Sequence, residues 1–145
     1  MGDEKENKAL VRRVIEGFLN AGDPALADEL FSPDYADNNP SNPGMGGLEN
    51  IKRSVSDWHE AFPDTFNGVR DILAEGDRVA ALWVTRGTHR GEFMGIPATG
   101  NRVQVTSTGI FRIEGGRVVE SWDHFDALGL LRQLGASPRP AGETP

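Results

Sequence analysis

The segment that decides the fold is Arg117-Val118-Val119-Glu120-Ser121-Trp122-Asp123-His124-Phe125-Asp126, followed by residues 127–135. Its alternating pattern predicts a β-strand, and the leucine spacing after Asp126 predicts a short helix. The strand places one carboxylate, that of Asp123, on the apolar face of a sheet. An unpaired charge there costs roughly several kcal/mol unless it is hydrogen-bonded or held protonated. We therefore expect Asp123 to carry out acid–base chemistry in a closed pocket.

Three helical segments are predicted before the sheet. Apolar residues recur at spacings of three and four over residues 8–21, which indicates a helix with one apolar face. Asp23 is a suitable N-cap for a short second helix over residues 25–31. A third helix is predicted over residues 48–62, where the apolar side chains again share a single face.

Strands follow the helices. From residue 66 onward the apolar period changes to two, which predicts four strands: residues 69–74, 79–89, 103–113 and 118–125. Residues 32–47 are rich in Pro, Asn, Asp and Gly and predict a loop with a brief strand at Tyr35. Helices followed by hairpin-linked strands indicate an α+β fold, with the helices on one face of a curved antiparallel sheet. Such a sheet encloses a cavity if its core is incompletely filled.

The turn between the last two strands determines which residues face Asp123. A three-residue loop, Glu114-Gly115-Gly116, keeps one face of the hairpin apolar and pairs Ile113 with Arg117. The same register leaves Gly109 as open space beside Asp123, whereas a two-residue loop would mix charge into both faces. The further pairs that it predicts are Phe111 with Val119, Gly109 with Ser121, Ser107 with Asp123 and Val105 with Phe125.

The composition limits the classes of partner. The chain has 145 residues and a formal net charge of -7, which opposes binding to nucleic acids or anionic membranes and favours a small, neutral or apolar ligand. No apolar run approaches the roughly 18 residues that cross a bilayer. The N-terminus is too acidic for a secretory signal, so a cytoplasmic location is expected. One domain is expected over residues 1–135, followed by a disordered tail over residues 136–145.

Metal and phosphate chemistry are not expected. The chain has no cysteine and only three histidines, with no ligand pair at helical spacing, so we expect no metal site. No glycine-rich loop joins a strand to a helix as a phosphate site would require. The other polar candidates have structural interpretations. His59 lies at the solvent edge of the third helix, His124 and Glu120 lie on the face opposite Asp123, and Asp126 suits an N-cap.

Several motifs resemble those of the SnoaL-like polyketide cyclases, a branch of the NTF2-like superfamily of cone-shaped α+β folds. The motifs are Ser32-Pro33-Asp34-Tyr35, Gly87-Thr88-His89-Arg90-Gly91-Glu92-Phe93, Met94-Gly95-Ile96-Pro97-Ala98-Thr99-Gly100, Arg112 through Arg117, and Asp126 through Gly135. The resemblance extends over nearly the whole chain. It implies an NTF2-like cone, in which three N-terminal helices and a curved antiparallel sheet enclose a pocket and a short helix ends the domain.

The resemblance also implies an activity. In these cyclases a cofactor-free intramolecular aldol condensation closes the last ring of an aromatic polyketide ester. A single aspartate on the last strand acts as general acid–base, and it corresponds here to Asp123. Burial is expected to raise the pKa of this carboxyl group and make it a stronger base. The resemblance further implies a homodimer or homotetramer, because the sheet face opposite Asp123 commonly packs against a second subunit in this superfamily.

One position departs from the family pattern. The cyclases carry a histidine on the neighbouring strand that helps to polarise the substrate carbonyl, and this chain has Gly109 there. His89 is the nearest chemical substitute, although the apolar pattern around it leaves its face of the strand open. Either a different group stabilises the enolate, or the reaction differs.

The predicted pocket is apolar with a few polar groups, as suits a rigid aromatic ligand. Asp123 and His89 are its candidate catalytic residues. Its candidate substrate-binding residues are Phe18, Asn38, Val55, Trp58, Phe62, Trp83, Ser107, Phe111, Ser121 and Phe125.

Two other interpretations stay open. The first is a different enzyme on the same scaffold: a cofactor-independent oxygenase, an isomerase or an epoxide hydrolase. The second is a non-catalytic small-molecule binding protein, which the glycine at position 109 favours. In that case Asp123 would be a structural aspartate, hydrogen-bonded to neighbouring hydroxyl or amide groups.

Overall fold

The computed structural model of the protein describes residues 3–38 and 47–135. Its helical elements before the main strands are α1 (Glu4–Arg12), a π-helical segment (Arg13–Phe18), α2 (Leu19–Ala21), α3 (Pro24–Leu30) and α4 (Leu48–Ala61). The first three form one continuous helical stretch, so the three predicted helical segments are confirmed. No helix in these two ranges is both long and apolar enough to span a membrane. The tail that is expected to be disordered, residues 136–145, lies outside the described residues.

The ends of these helices follow from local sequence. Gly22 ends the first stretch with a φ of 68°, a left-handed conformation that glycine adopts without a steric penalty. Asp23 then caps α3, because its carboxylate accepts a hydrogen bond from the backbone N–H of Ala25 at 2.9 Å. Pro24 follows as the first helical residue, where its missing N–H costs nothing.

The strands form one five-stranded sheet in the order β1-β5-β4-β3-β2. Their bounds are β1 (Phe31–Asp37), β2 (Phe66–Glu75), β3 (Arg78–Thr88), β4 (Arg102–Glu114) and β5 (Arg117–Phe125). The four predicted strands and the α+β class are confirmed. The sheet is not wholly antiparallel, however, because β1 pairs in parallel with β5 at one edge. The brief strand expected at Tyr35 is therefore a full strand.

The predicted register of the β4–β5 hairpin is wrong. Glu114 pairs with Arg117 across a two-residue turn, Gly115-Gly116, in which both glycines have positive φ. This is the turn geometry that fits the twist of a hairpin. The observed pairs are Ser107 with Phe125, Gly109 with Asp123, and Phe111 with Ser121, in place of the pairs predicted from a three-residue loop.

A β-bulge at Val119 compensates for the shorter turn. Arg112 pairs with Glu120 and Ile113 with Val118, so Val119 is the extra residue. A bulge reverses the alternation of side chains beyond it. Val118, before the bulge, is buried on the inner face. Beyond the bulge, Asp123 also faces inward. The predicted orientation of Asp123 is therefore correct, although the predicted register is wrong.

The inner face of the sheet packs into two apolar clusters. The first lies toward the hairpin turns and joins β3, β4 and β5 to the N-terminal helices through side chains such as Val79, Phe111 and Phe18. The second lies toward the opposite end and includes Val105 and Phe62. Because Trp83 belongs to the first cluster and Phe125 packs against the second, the boundary between them crosses the row that contains both residues.

The short helix α5 (Ala127–Gln133) closes the second cluster. Its predicted N-cap is confirmed, because the Asp126 carboxylate accepts from the backbone N–H of Gly129 at 2.8 Å. The side chain of Gln133 makes the two hydrogen bonds to β4 that the backbone of a neighbouring strand would otherwise make. Its carboxamide oxygen accepts from the backbone N–H of Gln104 at 2.7 Å, and its amide donates to the carbonyl of Gln104 at 2.9 Å. These bonds form beyond the end of β5, so the edge of β4 stays paired.

We predict that Gln133→Ala lowers the free energy of unfolding by about 1–2 kcal/mol, since each net hydrogen bond contributes about 0.5–1.5 kcal/mol. Urea denaturation followed by circular dichroism measures the change. Gln104→Ala is the matched control, because it removes an exposed side chain that binds Arg86 and keeps the backbone groups. Equal losses in the two variants would contradict a strand-like role for Gln133.

Candidate active site

Asp123 lies on the inner face of β5, directly opposite Gly109 of β4. Gly109 in turn pairs with Ala81 of β3, so the two residues across the sheet from the carboxylate are both small. Ser121 and Phe125 flank Asp123 on the same face of the strand. Asp123 and Phe125 are half-buried. This carboxylate therefore keeps accessible surface on the inner face of the sheet, beside small and apolar residues.

Exposure indicates where the candidate site lies. On α4, Ile51 and Trp58 belong to the helix face that packs against the sheet, yet both are only half-buried, as are Asp123 and Phe125. Because these four side chains lie on facing surfaces and each keeps accessible area, they mark the candidate site. The candidate site is thus the region between α4 and the inner face of β5, at the boundary between the two clusters.

Tyr35 is the functional candidate that sequence reasoning missed. Its hydroxyl lies 2.5 Å from the hydroxyl of Ser121, and the two residues are 4% and 1% exposed. Burial raises the pKa of the Tyr35 phenol well above its ordinary value of 10.0, and the negative charges of Asp37 and Asp123 raise it further. The phenol therefore stays neutral and keeps its proton. A lone tyrosine in a stretch rich in Pro, Asn and Asp was the available signal.

The space beside Gly109 is narrower than the sequence suggested. A Cβ atom at Gly109 would lie 3.1 Å from Cβ of Asp123, 3.3 Å from Cε2 of Phe111 and 3.3 Å from the carbonyl oxygen of Trp122. The expectation of open space is wrong, because the observed register puts Gly109 directly opposite Asp123 rather than opposite Ser121. A side chain at position 109 would press on Cβ of Asp123, which would have to shift by a few tenths of an ångström.

Five predicted pocket residues surround the Asp123 position on the sheet. Ser107 pairs with Phe125 and with Trp83, and Phe111 pairs with Ser121. The rings of Trp83 and Phe111 are 6.1 Å apart. The structure therefore brings together Asp123, Ser107, Ser121 and the three aromatic side chains in neighbouring rows.

Two other predicted pocket residues are packed in the core instead. Phe18 is 1% exposed and lies edge-on against Phe31, with ring centroids 5.9 Å apart. Phe62 is 0% exposed and stacks on Trp58 at 4.2 Å. Both rings pack against other side chains in this conformation, and their assignment to the pocket lining stays a prediction.

The remaining lining residues have mixed positions. Val55 lies on α4, and its side chain is buried in the first cluster. Trp58 is half-buried, and its indole N–H donates to the hydroxyl of Thr65 at 2.8 Å, which fixes the ring at the edge of the site. Asn38 is exposed and holds β1 to β5, because its side-chain amide donates to the Glu120 carboxylate at 3.0 Å and to the Ser121 carbonyl at 3.3 Å.

His89 is not placed beside Asp123. Ala81 is level with Asp123, and His89 lies eight residues beyond it, which at about 3.3 Å per residue is roughly 26 Å along the strand. His89 is fully buried against Phe62, and its Nδ1 accepts from the backbone N–H of Thr99 at 3.2 Å. The ring holds the two ends of the 90–100 loop together. A partnership of His89 with Asp123 in catalysis is therefore not supported by the geometry.

Two hollows open on other surfaces. One, of about 380 Å³, lies over the outer face of the sheet, where Leu82, Ile110 and Trp122 line it. The other, of about 700 Å³, lies beside α5 and is lined by Arg86, Arg102 and other polar residues. Asp123 lines neither of them. Asp123 lies on the inner face of the sheet, so neither hollow adjoins its carboxylate.

A curved sheet closed by helices on one face, with a half-buried carboxylate inside, defines a cone-shaped α+β protein with a candidate acid–base site. Comparison with known proteins identifies the class. The family model described as SnoaL-like polyketide cyclase matches residues 9–134. The chain therefore belongs to the SnoaL-like polyketide cyclases, and the resemblance found in its sequence is confirmed.

Individual relatives agree with this assignment. The aklanonic acid methyl ester cyclase DnrD of Streptomyces peucetius is 33% identical over 143 residues, which cover 94% of this chain and 96% of that protein. The structure of TsrD from Streptomyces laurentii is 33% identical, with a TM-score of 0.84 over 94% of this chain and 99% of that one. AclR from Streptomyces galilaeus, a proposed hydroxylase, is also 33% identical, with a TM-score of 0.82 over 97% and 87% of the two chains.

We predict that Gly109→Ala lowers the free energy of unfolding by about 1–3 kcal/mol, because an added Cβ overpacks the space against Asp123. Gly109→His, which restores the residue type of the family, should lose at least as much stability. Thermal and urea unfolding measure both changes. Thr106→Ser, on the exposed outer face of the same strand, is the control and should change little. A Gly109→His variant as stable as the natural chain would show that the site accommodates the histidine.

Proposed function

We propose that this protein is a cyclase that catalyses an intramolecular aldol condensation on an aromatic polyketide ester, with Asp123 as general acid–base. The observation that carries the proposal is the half-buried Asp123 on the inner face of β5, opposite Gly109 and between Ser121 and Phe125 on the same face of the strand. A carboxylate in such a setting is available to a substrate and shielded from bulk water. General acid–base catalysis by one positioned group typically contributes about 10²–10⁴-fold to a rate.

The proposed reaction proceeds in three steps. The Asp123 carboxylate removes a proton from the carbon next to a carbonyl group, which breaks the C–H bond and leaves an enolate. The enolate carbon attacks a second carbonyl of the same molecule, so a C–C bond closes the ring and an alkoxide forms. Asp123 then returns its proton to the alkoxide. The sum is an isomerisation with no added reductant, oxidant or cofactor.

The proposed substrate class rests on the relatives and on the site. The relative from Streptomyces peucetius is a cyclase of aklanonic acid methyl ester, a polyketide ester. The aromatic side chains Trp58, Trp83 and Phe125 border or underlie the Asp123 region, which suits a flat, largely apolar ligand. Holding the two carbonyl groups of one folded substrate close together would supply much of the acceleration.

A second candidate activity is a cofactor-independent oxygenation. The similarity to AclR, a proposed hydroxylase, favours it over isomerisation or epoxide hydrolysis. The cyclisation and the oxygenation have different requirements. An aldol cyclisation proceeds without oxygen and leaves the mass of the substrate unchanged. A cofactor-free oxygenation consumes O₂, places one oxygen atom on a substrate CH₂ carbon as a carbonyl group, and releases the other oxygen atom as water with the two hydrogens of that carbon, so the mass of the substrate changes. Mass spectrometry of reactions run with and without oxygen separates them.

We predict that Asp123→Asn lowers cyclisation of aklanonic acid methyl ester at least about 100-fold, because the amide cannot accept the proton. Product formation under anaerobic conditions is followed by chromatography and absorbance. A second measurement is the exchange of the acidic substrate C–H for deuterium in D₂O, which should also be lost. Asp77→Asn, an exposed residue in the β2–β3 turn, is the control. Full activity of Asp123→Asn would refute the proposed function.

We also propose that the protein forms a homodimer through the outer face of the sheet. This face exposes Leu73, Ile110 and Leu82, whose exposed fractions are 65%, 42% and 37%. Arg78 lies over the Trp122 ring beside them, with 5.2 Å from the guanidinium carbon to the ring centroid. Exposed apolar patches of this kind commonly mark interfaces between subunits.

We predict that Ile110→Glu converts the dimer to a monomer, because dimerisation would bury the new carboxylate in an apolar interface. Sedimentation velocity or light scattering measures the mass in solution. Leu128→Glu is the matched control, since Leu128 is 41% exposed but lies on α5, away from this face. A natural chain that sediments as a monomer at all concentrations would refute this interface.

A further inference from the structure

The Tyr35–Ser121 pair has a second hydroxyl hydrogen beyond the one that joins the two groups. Two hydroxyl groups carry two hydrogens, and the hydrogen bond between them uses one. Both side chains are almost fully buried, so bulk water does not reach them. A buried donor costs about 1–3 kcal/mol unless an acceptor reaches it. The second hydrogen therefore calls for an acceptor inside the protein or on a ligand.

The chemistry of the two groups determines which hydrogen this is. The distance between the two oxygens leaves the donor open. We assign Tyr35 as the donor to Ser121, because a phenol is the stronger hydrogen-bond donor and an aliphatic hydroxyl the better acceptor. The hydrogen of Ser121 is then available along the inner face of β5. Asp123 is the next inward-facing residue on that strand, and its charge influences Tyr35. The available donor therefore lies beside the group that removes the proton.

We propose that Ser121, oriented by Tyr35, donates a hydrogen bond to the enolate oxygen formed when Asp123 removes a proton from the substrate. Ser121 is a catalytic residue in this assignment and Tyr35 is a positioning residue. This inference rests on the proposed function and supplies the group that stabilises the enolate where the family histidine is replaced by Gly109.

The positions of Ser121 and residue 109 in the sheet explain how Ser121 can take the role of the family histidine. Gly109 is directly opposite Asp123, whereas Ser121 adjoins Asp123 along the strand, so both positions border the same carboxylate. A donor held rigidly in a buried site needs no reorganisation when the negative charge develops, and loss of one such donor typically costs about 10²–10³ in kcat. Tyr35 supplies the rigidity because it anchors Ser121 from the neighbouring strand β1.

The proton balance of the step is simple. The C–H proton moves to the Asp123 carboxylate, and the electron pair of that bond becomes the enolate. Ser121 keeps its proton and shares it with the enolate oxygen, while Tyr35 keeps its own in the bond to Ser121. After ring closure Asp123 gives its proton to the new alkoxide, and all three side chains regain their starting states.

The test compares Ser121→Ala, Tyr35→Phe and the double variant with the natural protein in cyclisation of aklanonic acid methyl ester. We expect kcat to fall about 100-fold for Ser121→Ala with KM nearly unchanged, since the donor acts on charge that develops after binding. Tyr35→Phe should lower kcat about 10-fold, a smaller loss because Ser121 remains and only its orientation is relaxed. The double variant should be no slower than Ser121→Ala, because Tyr35 acts only through Ser121. If the losses of kcat in the two single variants add in the double variant, Tyr35 does not act through Ser121 and the proposal is wrong.

The pH profile of kcat separates this role from two others. If Ser121 stabilises the enolate, the acidic limb that reports Asp123 keeps its position in Ser121→Ala while the plateau falls. A shifted limb with an unchanged plateau would mean that the pair only tunes Asp123, and would refute the proposal. Lower stability with normal kcat would mean a purely structural role. Ser56→Ala, an exposed serine on α4, is the control for serine replacement.

A binding experiment keeps the inference testable if a variant turns over too slowly. Asp123→Asn carries the neutral side chain that Asp123 has after it takes the proton. In this background, a series of substituted 2-naphthols provides oxyanions that mimic the enolate. The ionised fraction of the bound naphthol, read from its absorbance, should fall when Ser121→Ala is added. An unchanged fraction would overturn the inference. If Asp123→Asn itself keeps full activity the proposed function fails, whereas normal turnover in Ser121→Ala refutes only the role of the pair.

Discussion

The pairing of β4 with β5 is the constraint on which the rest of the site depends. The turn at Gly115-Gly116 is one residue shorter than the apolar pattern suggests, and the extra residue at Val119 restores the alternation of side chains beyond it. Without that bulge, Asp123 would face the outer surface and its neighbours would exchange faces. With it, one strand presents an aliphatic residue to the core, a serine to Tyr35 and a carboxylate to the candidate site. The position of every group in the proposed reaction follows from this local irregularity.

The fold was largely predictable because its periodic signals are strong. Helical spacing, the positions of the hairpin turns and the cap at Asp126 each reflect interactions within a few residues. The structure confirms them, except that the β4–β5 turn has two residues and not the predicted three. The orientation of Asp123 was correct although the register was not, since a shorter turn and a bulge leave the same parity as a longer turn. The parallel edge strand β1 was underestimated because its partner lies in a distant segment. Composition in that stretch indicates turns, and tertiary pairing overrides it.

The site was predictable in part, for the same physical reason. Ser107, Ser121, Phe111 and Phe125 share the face of Asp123, and strand alternation alone identifies them. Phe18, Phe62 and His89 required knowledge of packing across helices and loops, which spacing within one segment does not contain. Tyr35 required the β1–β5 contact. The family resemblance points to Asp123 as the proposed acid–base residue, while the structure shows that its neighbourhood contains a glycine and a buried pair of hydroxyls.

The bond between Tyr35 and Ser121 joins positions that are 86 residues apart along the chain. Contacts of such long range are slow to form, because the intervening segment must lose its freedom before the contact contributes any stabilisation. During synthesis on the ribosome, β1 must wait for almost the entire polypeptide before it finds its parallel partner. Nascent or truncated chains that lack β5 cannot assemble the chemical centre. Catalytic competence is therefore acquired late in maturation, and a turnover assay would report completion of the final strand more directly than helical content does.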